Sequence, residues 1–160
     1  VPGPLDTFVF STAPLALSDA VAAIILVDGR YLLQKRDDRP DIWYPNHWGL
    51  FGGAVEPGED PVEALARELH EELELTLPHD GVAYFCQFDF DVGGAGVGKY
   101  FRKFYTVTIA PGVHDKLRLH EGAEMRLFTG ADMLSGMPLS PYDSFALFLH
   151  HARTRLARPA

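Results

Sequence analysis

Hydrophobic and polar positions divide the chain into short blocks of different period. From Asp19 to Val27 the run containing Val21, Ile24, Ile25 and Val27 is apolar and β-branched, the pattern of a strand buried on both faces. Asp28-Gly29 supplies a hairpin turn into a second strand, Tyr31-Leu32-Leu33-Gln34-Lys35-Arg36. A loop with Pro40 and Pro45 leads to an apolar stretch, Trp48 to Val55, interrupted by Gly49, Gly52 and Gly53. Asp60-Pro61-Val62-Glu63 is a helix start, and the helix should run to about Leu75, before Pro78. Strands are expected near Val82 to Asp91, Tyr100 to Ile109 and Glu124 to Phe128. Ser140-Pro141-Tyr142-Asp143 should cap a last helix to about Arg155, with Phe145, Leu147, Phe148, Leu149 and Leu156 for packing. Strands on both sides of one helix, followed by a closing helix, imply an α/β (α+β) fold: a mixed sheet with helices on both faces. Residues 1–18, with Pro2, Pro4 and Pro14, read as an irregular leader to a single domain over 19–157.

The helix from Pro61 sorts its residues by face. Val62, Leu65, Ala66, Leu69 and Leu73 make an apolar stripe for the sheet. Glu68, Glu71 and Glu72 fall on an adjoining face, within an arc of roughly 100 degrees. Like charges at this spacing cost an isolated helix about 0.2–0.5 kcal/mol per pair unless something positive sits among them. A hard divalent cation such as Mg²⁺ suits oxygen donors and shares them with substrate phosphates; a solvated acidic surface is the plainer alternative. Arg67 is the one basic side chain of Lys or Arg type in this helix. It can pair with Glu63 at the i,i+4 spacing or reach into the acidic cluster. Upstream, Gly52-Gly53-Ala54-Val55-Glu56-Pro57-Gly58-Glu59 is a turn through which backbone carbonyls can approach a metal.

Composition narrows the class of function. The 160 residues carry 14 Lys+Arg against 22 Asp+Glu, a net charge of −8, which disfavours a surface built to grip extended nucleic acid. One cysteine, Cys86, cannot make an internal disulfide or a Cys-rich zinc site, consistent with a cytoplasmic protein. No apolar run reaches the roughly 18 residues of a membrane helix, so no membrane partner is expected. The start, Val1-Pro2-Gly3-Pro4, looks processed or engineered and carries no functional reading.

Gly53, five residues, Glu59, seven residues, then Arg67-Glu68-Leu69-His70-Glu71-Glu72 resembles the signature of the Nudix hydrolase family. One position departs from it: Glu74 stands where the family usually has glycine, which predicts a different helix exit. The resemblance implies a Nudix-like α/β/α sandwich and a Mg²⁺-dependent hydrolase, with Mn²⁺ as an alternative ion. Its expected reaction is cleavage of the diphosphate linkage in a nucleoside diphosphate derivative: a nucleoside triphosphate, ADP-ribose or a nucleotide-sugar. It also implies metal ligation by Glu68, Glu71, Glu72 and the Gly53 carbonyl, orientation of a motif glutamate by Arg67, and a supporting role for Glu59. Glu68 or Glu72 could deprotonate the attacking water, as could Glu121, in a segment resembling the family's loop before its last strand.

Positive partners for substrate phosphate are Arg36 and, on the strand after the glycine-rich stretch Gly93 to Gly98, Arg102 or Lys103. Trp43, Tyr44 and Trp48 could stack a nucleobase or simply close the core. The Gly93–Gly98 stretch joins strand to strand, so it reads as a hairpin connection and not as a phosphate loop. His70, His150 and His151 read as solvated or packing side chains, and Cys86 as a buried structural thiol. Two further functions remain open: a nucleotide sensor without turnover, and an isomerase of a small diphosphate ester that would need a reactive Cys such as Cys86. A homodimer is also open.

Overall fold

The computed structural model describes residues 18–91 and 98–156. Strands β1 (Ala20–Val27) and β2 (Arg30–Lys35) form the expected hairpin. They are followed by β3 (Trp48–Gly49), α1 (Pro61–Leu73), β4 (Val82–Asp91) and β5 (Lys99–Thr108). Then come α2 (Pro111–His114), β6 (Glu124–Phe128), α3 (Gly130–Leu134) and α4 (Pro141–Leu156). The leader reading for residues 1–18 falls, except for Ser18, outside the described residues, as does most of the Gly93–Gly98 connection; β4 and β5 pair antiparallel up to Asp91 and Lys99. Among the described residues, no helix is long and apolar enough to cross a membrane.

The sheet is mixed. Its order is β3-β2-β1-β5-β4, with β6 on the other side of β2. β1 and β5 run parallel, while β1–β2, β2–β6 and β4–β5 are antiparallel. β1 pairs with β2 only through Ile25–Val27; beyond that the two strands part, and the chain from Trp48 to Ala54 fills the gap. It pairs first with β2, Trp48 opposite Lys35, and then with β1, Phe51 opposite Ala23 and Ala54 opposite Ala20. This insertion carries Gly52 and Gly53 to the middle of the sheet.

Alternation along β1 divides the core into two layers. Val21, Ala23, Ile25 and Val27 meet Leu65, Leu69 and Leu73 of α1, all nearly or fully buried. Ala22 and Ile24 face Leu50, Phe104, Met133, Ala146 and Leu147 on the α4 side. The α/β/α sandwich therefore follows from one strand buried on both faces. Three packing expectations change. Val62 is exposed and Ala64 takes its place inside, while Phe145 and Phe148 of α4 are exposed. Ser140 also departs: its hydroxyl is buried without a hydrogen bond, so only its backbone carbonyl serves the first turn of α4.

The exit of α1 is the left-handed one that the substitution at Glu74 argued against. Glu74 takes φ 55, its N–H donates to the His70 carbonyl, and the Leu75 N–H donates to the Leu69 carbonyl. Burial of Leu75 in the core holds this geometry in place. A residue with a Cβ is strained there. Glu74→Gly should therefore raise thermal stability, by about 1 kcal/mol, in a melting experiment.

Candidate active site

Asp60 caps α1 by accepting from the Val62 N–H, and Pro61 sets the first helical φ. With the start fixed and the Leu65–Leu69–Leu73 stripe on the sheet, the side chains of Glu68 and Glu72 come to lie beneath the Gly52-Gly53 segment. The Glu72 carboxylate is buried, 4% exposed. Its Oε2 accepts from the Gly52 N–H at 2.7 Å and its Oε1 from Gln34 Nε2 at 3.1 Å. Burial pushes its pKa up to about 8; the two hydrogen bonds oppose this, and the neighbouring charges of Glu121 and Glu68 add to it.

Two glycines make this contact physically admissible. Gly52 sits at φ 126, and a Cβ there would fall 2.3 Å from the Val21 carbonyl oxygen. At Gly53 a Cβ would lie 2.5 Å from Oε2 of Glu68, so the hydrogen side chain leaves the space that the carboxylate occupies. The Gly53 carbonyl accepts from the Val21 N–H at 2.9 Å, which fixes its direction and leaves a lone pair for a further contact.

Arg67 supplies the positive charge. Its guanidinium grips Glu59 with two bonds, Nε to Oε1 at 2.9 Å and Nη2 to Oε2 at 3.0 Å. It also donates to Glu68 Oε1 at 2.7 Å and to the Ala54 carbonyl at 3.0 Å, and stands 3.6 Å from Glu71. Hydrogen bonds to Glu59 and Glu68 stabilise its charged form, and the same fork lowers the pKa of Glu59. Burial raises the pKa of Glu68 against the opposing pull of Arg67. Arg67 thus uses the second of its two expected options, reaching into the acidic cluster instead of pairing with Glu63.

The loop after α2 closes the other side. The Arg118 N–H donates to the Leu73 carbonyl and the His120 N–H to that of Glu72, while the Ala123 N–H donates to the Lys35 carbonyl. These bonds bring Glu121 to the rim of a cleft of about 530 Å³. Gly52, Gly53, Ala54, Arg36, Arg102 and Glu121 contribute its polar and backbone surface. Trp43, Tyr44, Phe90, Tyr100, Phe101 and Tyr142 contribute aromatic surface. The volume is that of a small-molecule pocket, and the combination of flat rings and two arginines suits a nucleotide.

Comparison with known proteins places this architecture. The NUDIX domain family model matches residues 16–142. The chain belongs to the Nudix hydrolase family. Over 57 residues it is 51% identical to the nucleoside triphosphatase NudI of Escherichia coli O1:K1 / APEC, a match that covers 36% of this chain and only 40% of that relative. Among solved structures, the E. coli ORF135 protein aligns over 92% of this chain and 99% of its own, with a TM-score of 0.68 and 33% identity. The MutT NUDIX hydrolase from Burkholderia pseudomallei aligns over 82% and 95%, with a TM-score of 0.64 and 27% identity.

Within this Nudix fold the structure brings Gly53, Glu68, Glu72, Arg67 and Glu59 together, with Glu71 at the edge and 60% exposed. The expected convergence of three carboxylates is only partly met. Glu72 turns inward to Gly52 and Gln34, Glu68 turns to Arg67, and Glu71 points outward. Among the described residues, no three His, Cys, Asp or Glu side chains stand as a ready cage in this conformation. Arg36 reaches the cleft with its Nε donating to the Trp43 carbonyl at 2.8 Å. Arg102 reaches it too, whereas Lys103 lies over the Phe101 ring and does not line it.

Trp48 is a correction. It is buried against Phe128, with ring centroids 4.8 Å apart, and under the Arg126 guanidinium, so it closes the core, while Trp43 and Tyr44 line the cleft. His150 packs in the core, where it pairs with the Tyr31 hydroxyl at 2.9 Å and burial lowers its pKa to about 4. Cys86 is only half-buried and its pKa is raised to about 11; it packs beside the α4-side core and not on the cleft, which removes the nucleophile that an isomerase would need.

Two residues of the site escaped the sequence reading. Gln34 is a buried polar side chain directly after Leu32 and Leu33 in β2, a signal that was available. Asp143, in the first turn of α4, passes as an ordinary helix-start acid, yet it is buried, 1% exposed, and accepts from the Leu50 N–H at 3.0 Å and from Arg102.

Proposed function

We propose that the protein is a divalent-cation-dependent pyrophosphohydrolase of nucleoside triphosphates. The observation that carries this reading is the pair of carboxylates, the partly buried Glu68 and the buried Glu72, packed against Gly53 and Gly52 where that segment lines an aromatic, cation-bearing cleft. The named activity of NudI over the matched segment supports a triphosphate ahead of ADP-ribose or a nucleotide-sugar.

The donor set fits a hard cation, because every candidate ligand, the Gly53 carbonyl and the carboxylates of Glu68, Glu71 and Glu72, offers oxygen. Mg²⁺ is the proposed ion, with Mn²⁺ able to replace it. Such an ion neutralises phosphate charge and lowers the pKa of a bound water. Arg67 positions Glu68 and Glu59, and Gln34 with the Gly52 N–H sets the plane of Glu72. Arg36 has guanidinium donors beyond the one spent on Trp43 with which to hold a phosphate oxygen. Glu121, exposed at the rim, is placed to take the proton of the attacking water. Attack on phosphorus then separates a nucleoside monophosphate from pyrophosphate.

Product analysis tests this. The purified chain is incubated with Mg²⁺ and each common nucleoside triphosphate, and the products are followed by phosphorus NMR. Nucleoside monophosphate and pyrophosphate are expected. Saturable nucleotide binding without any product would favour the sensor, and release of inorganic phosphate with a nucleoside diphosphate would reject the proposed bond.

A further inference from the structure

The Arg102 guanidinium is more tightly built in than a general phosphate-binding arginine requires. Its side chain is only 14% exposed. Nε and Nη2 both donate to Oδ1 of the buried Asp143, at 3.1 and 2.8 Å. Its face lies over the Tyr142 ring at 4.7 Å, with Phe104 at 5.6 Å. Asp143 is itself fixed by the Leu50 N–H, two residues before Gly52. The plane of the guanidinium is therefore set by three elements, and Nη1 has no partner among the described residues although Arg102 lines the cleft. Nη1 is therefore the donor that this clamp leaves open on the cleft side, available to an acceptor brought by a ligand.

Its position indicates which part of a nucleotide supplies that acceptor. Arg102 pairs across the sheet with Ala20, and Ala20 pairs with Ala54, next to Gly53. Two strand spacings, about 10 Å, thus separate the Arg102 backbone from the strand that carries the phosphate-side glycines. That is the order of the distance between a nucleotide's phosphate and the outer edge of its base. The surroundings of Arg102 are aromatic: Tyr142 lies 5.4 Å from Tyr44, which packs on Trp43.

We propose that the free edge of Arg102, held by Asp143 and Tyr142, selects bases that present a carbonyl oxygen at the O6 or O4 edge, guanine, thymine or uracil, over adenine and cytosine, which carry an amino group there. The guanidinium has donors only. Guanine offers O6 and N7 and thymine or uracil offers O4, whereas adenine and cytosine place an amino group at that edge, donor against donor. The inference rests on the nucleoside triphosphate reading above, but it concerns binding, so it can be tested apart from turnover.

Two measurements on the full chain do this. Quenching of tryptophan fluorescence, with Trp43 in the cleft, gives dissociation constants for GMP, UMP, AMP and CMP. Steady-state kinetics give kcat/KM for the matching triphosphates. The keto nucleotides should bind about tenfold or more tightly and show the larger kcat/KM. In Arg102→Met, which keeps bulk and removes donors, that ratio should collapse toward one, mainly through a higher KM for the keto substrates. Arg102→Lys should recover part of it. Equal binding of all four bases by the unaltered protein, or an equal loss for all four in Arg102→Met, would overturn the proposal. A keto preference in binding with no hydrolysis of any triphosphate would leave the base selection standing and defeat the proposed activity.

Discussion

Glu72→Gln should lower kcat by about a thousandfold and, in the absence of divalent cations, make the protein more stable at alkaline pH. The two effects have one origin. Glu72 sits in a pocket that raises its pKa from 4.5 to about 8. Between those values the folded chain holds a proton that the unfolded chain has released, so stability is full below about pH 4.5 and declines as pH rises toward 8. By pH 8 the stability lost by having to ionise this carboxylate is on the order of 4 kcal/mol. The neutral amide avoids that cost, and the Gln34 amide can turn to satisfy it. Melting curves in chelator should therefore coincide near pH 4.5 and separate by pH 8, with the variant the more stable. A variant that lost activity but melted lower at pH 8 would mean that the buried carboxylate supports the fold instead of straining it.

Arg67→Ala should lose activity for a different reason. Arg67 does not line the cleft; it holds Glu59, Glu68 and the Ala54 carbonyl in place. Its removal leaves the partly buried Glu68 without its cation and lets Glu59, Glu68 and Glu71 repel one another. Stability should fall by about 2 kcal/mol and kcat by roughly a hundredfold, with KM little changed. Arg67→Lys keeps the charge and loses the fork, so it should fall between the two. Steady-state kinetics separate the cases: a loss confined to KM would show that Arg67 touches substrate directly.

The parts legible in the sequence were those governed by local physics. The period of β1 and β2, the Asp28-Gly29 turn and the Asp60-Pro61 helix start depend on neighbours in the chain, and the structure places them within a residue or two. Helix spacing put Glu68 and Glu72 on one face, and the resemblance to the Nudix signature implied that they and Arg67 share a site with Gly53. Long-range packing decided the rest. Leu75 docking into the core imposes a left-handed exit on Glu74 in spite of its side chain. Glu71 and Glu72 are adjacent in sequence, yet one faces solvent and the other is buried, because only Glu72 meets Gln34 and the Gly52 N–H. Trp48 looked like Trp43, a ring in the same loop, but pairing with β2 turns it into the core. The short helices α2 and α3, of four and five residues, carry too little periodicity to be read in advance.

In the proposed mechanism Gly53 and the glutamates of α1 form a cation site at the foot of the cleft. Crystals grown with Mn²⁺ and measured at the manganese absorption edge test it most directly. An anomalous peak is expected, bonded to the Gly53 carbonyl and to carboxylates among Glu68, Glu71 and Glu72, with Glu68 or Glu71 turned from Arg67 to meet it. Full-occupancy manganese bound elsewhere, or carboxylates still held by Arg67 and Gln34 at saturating Mn²⁺, would contradict it.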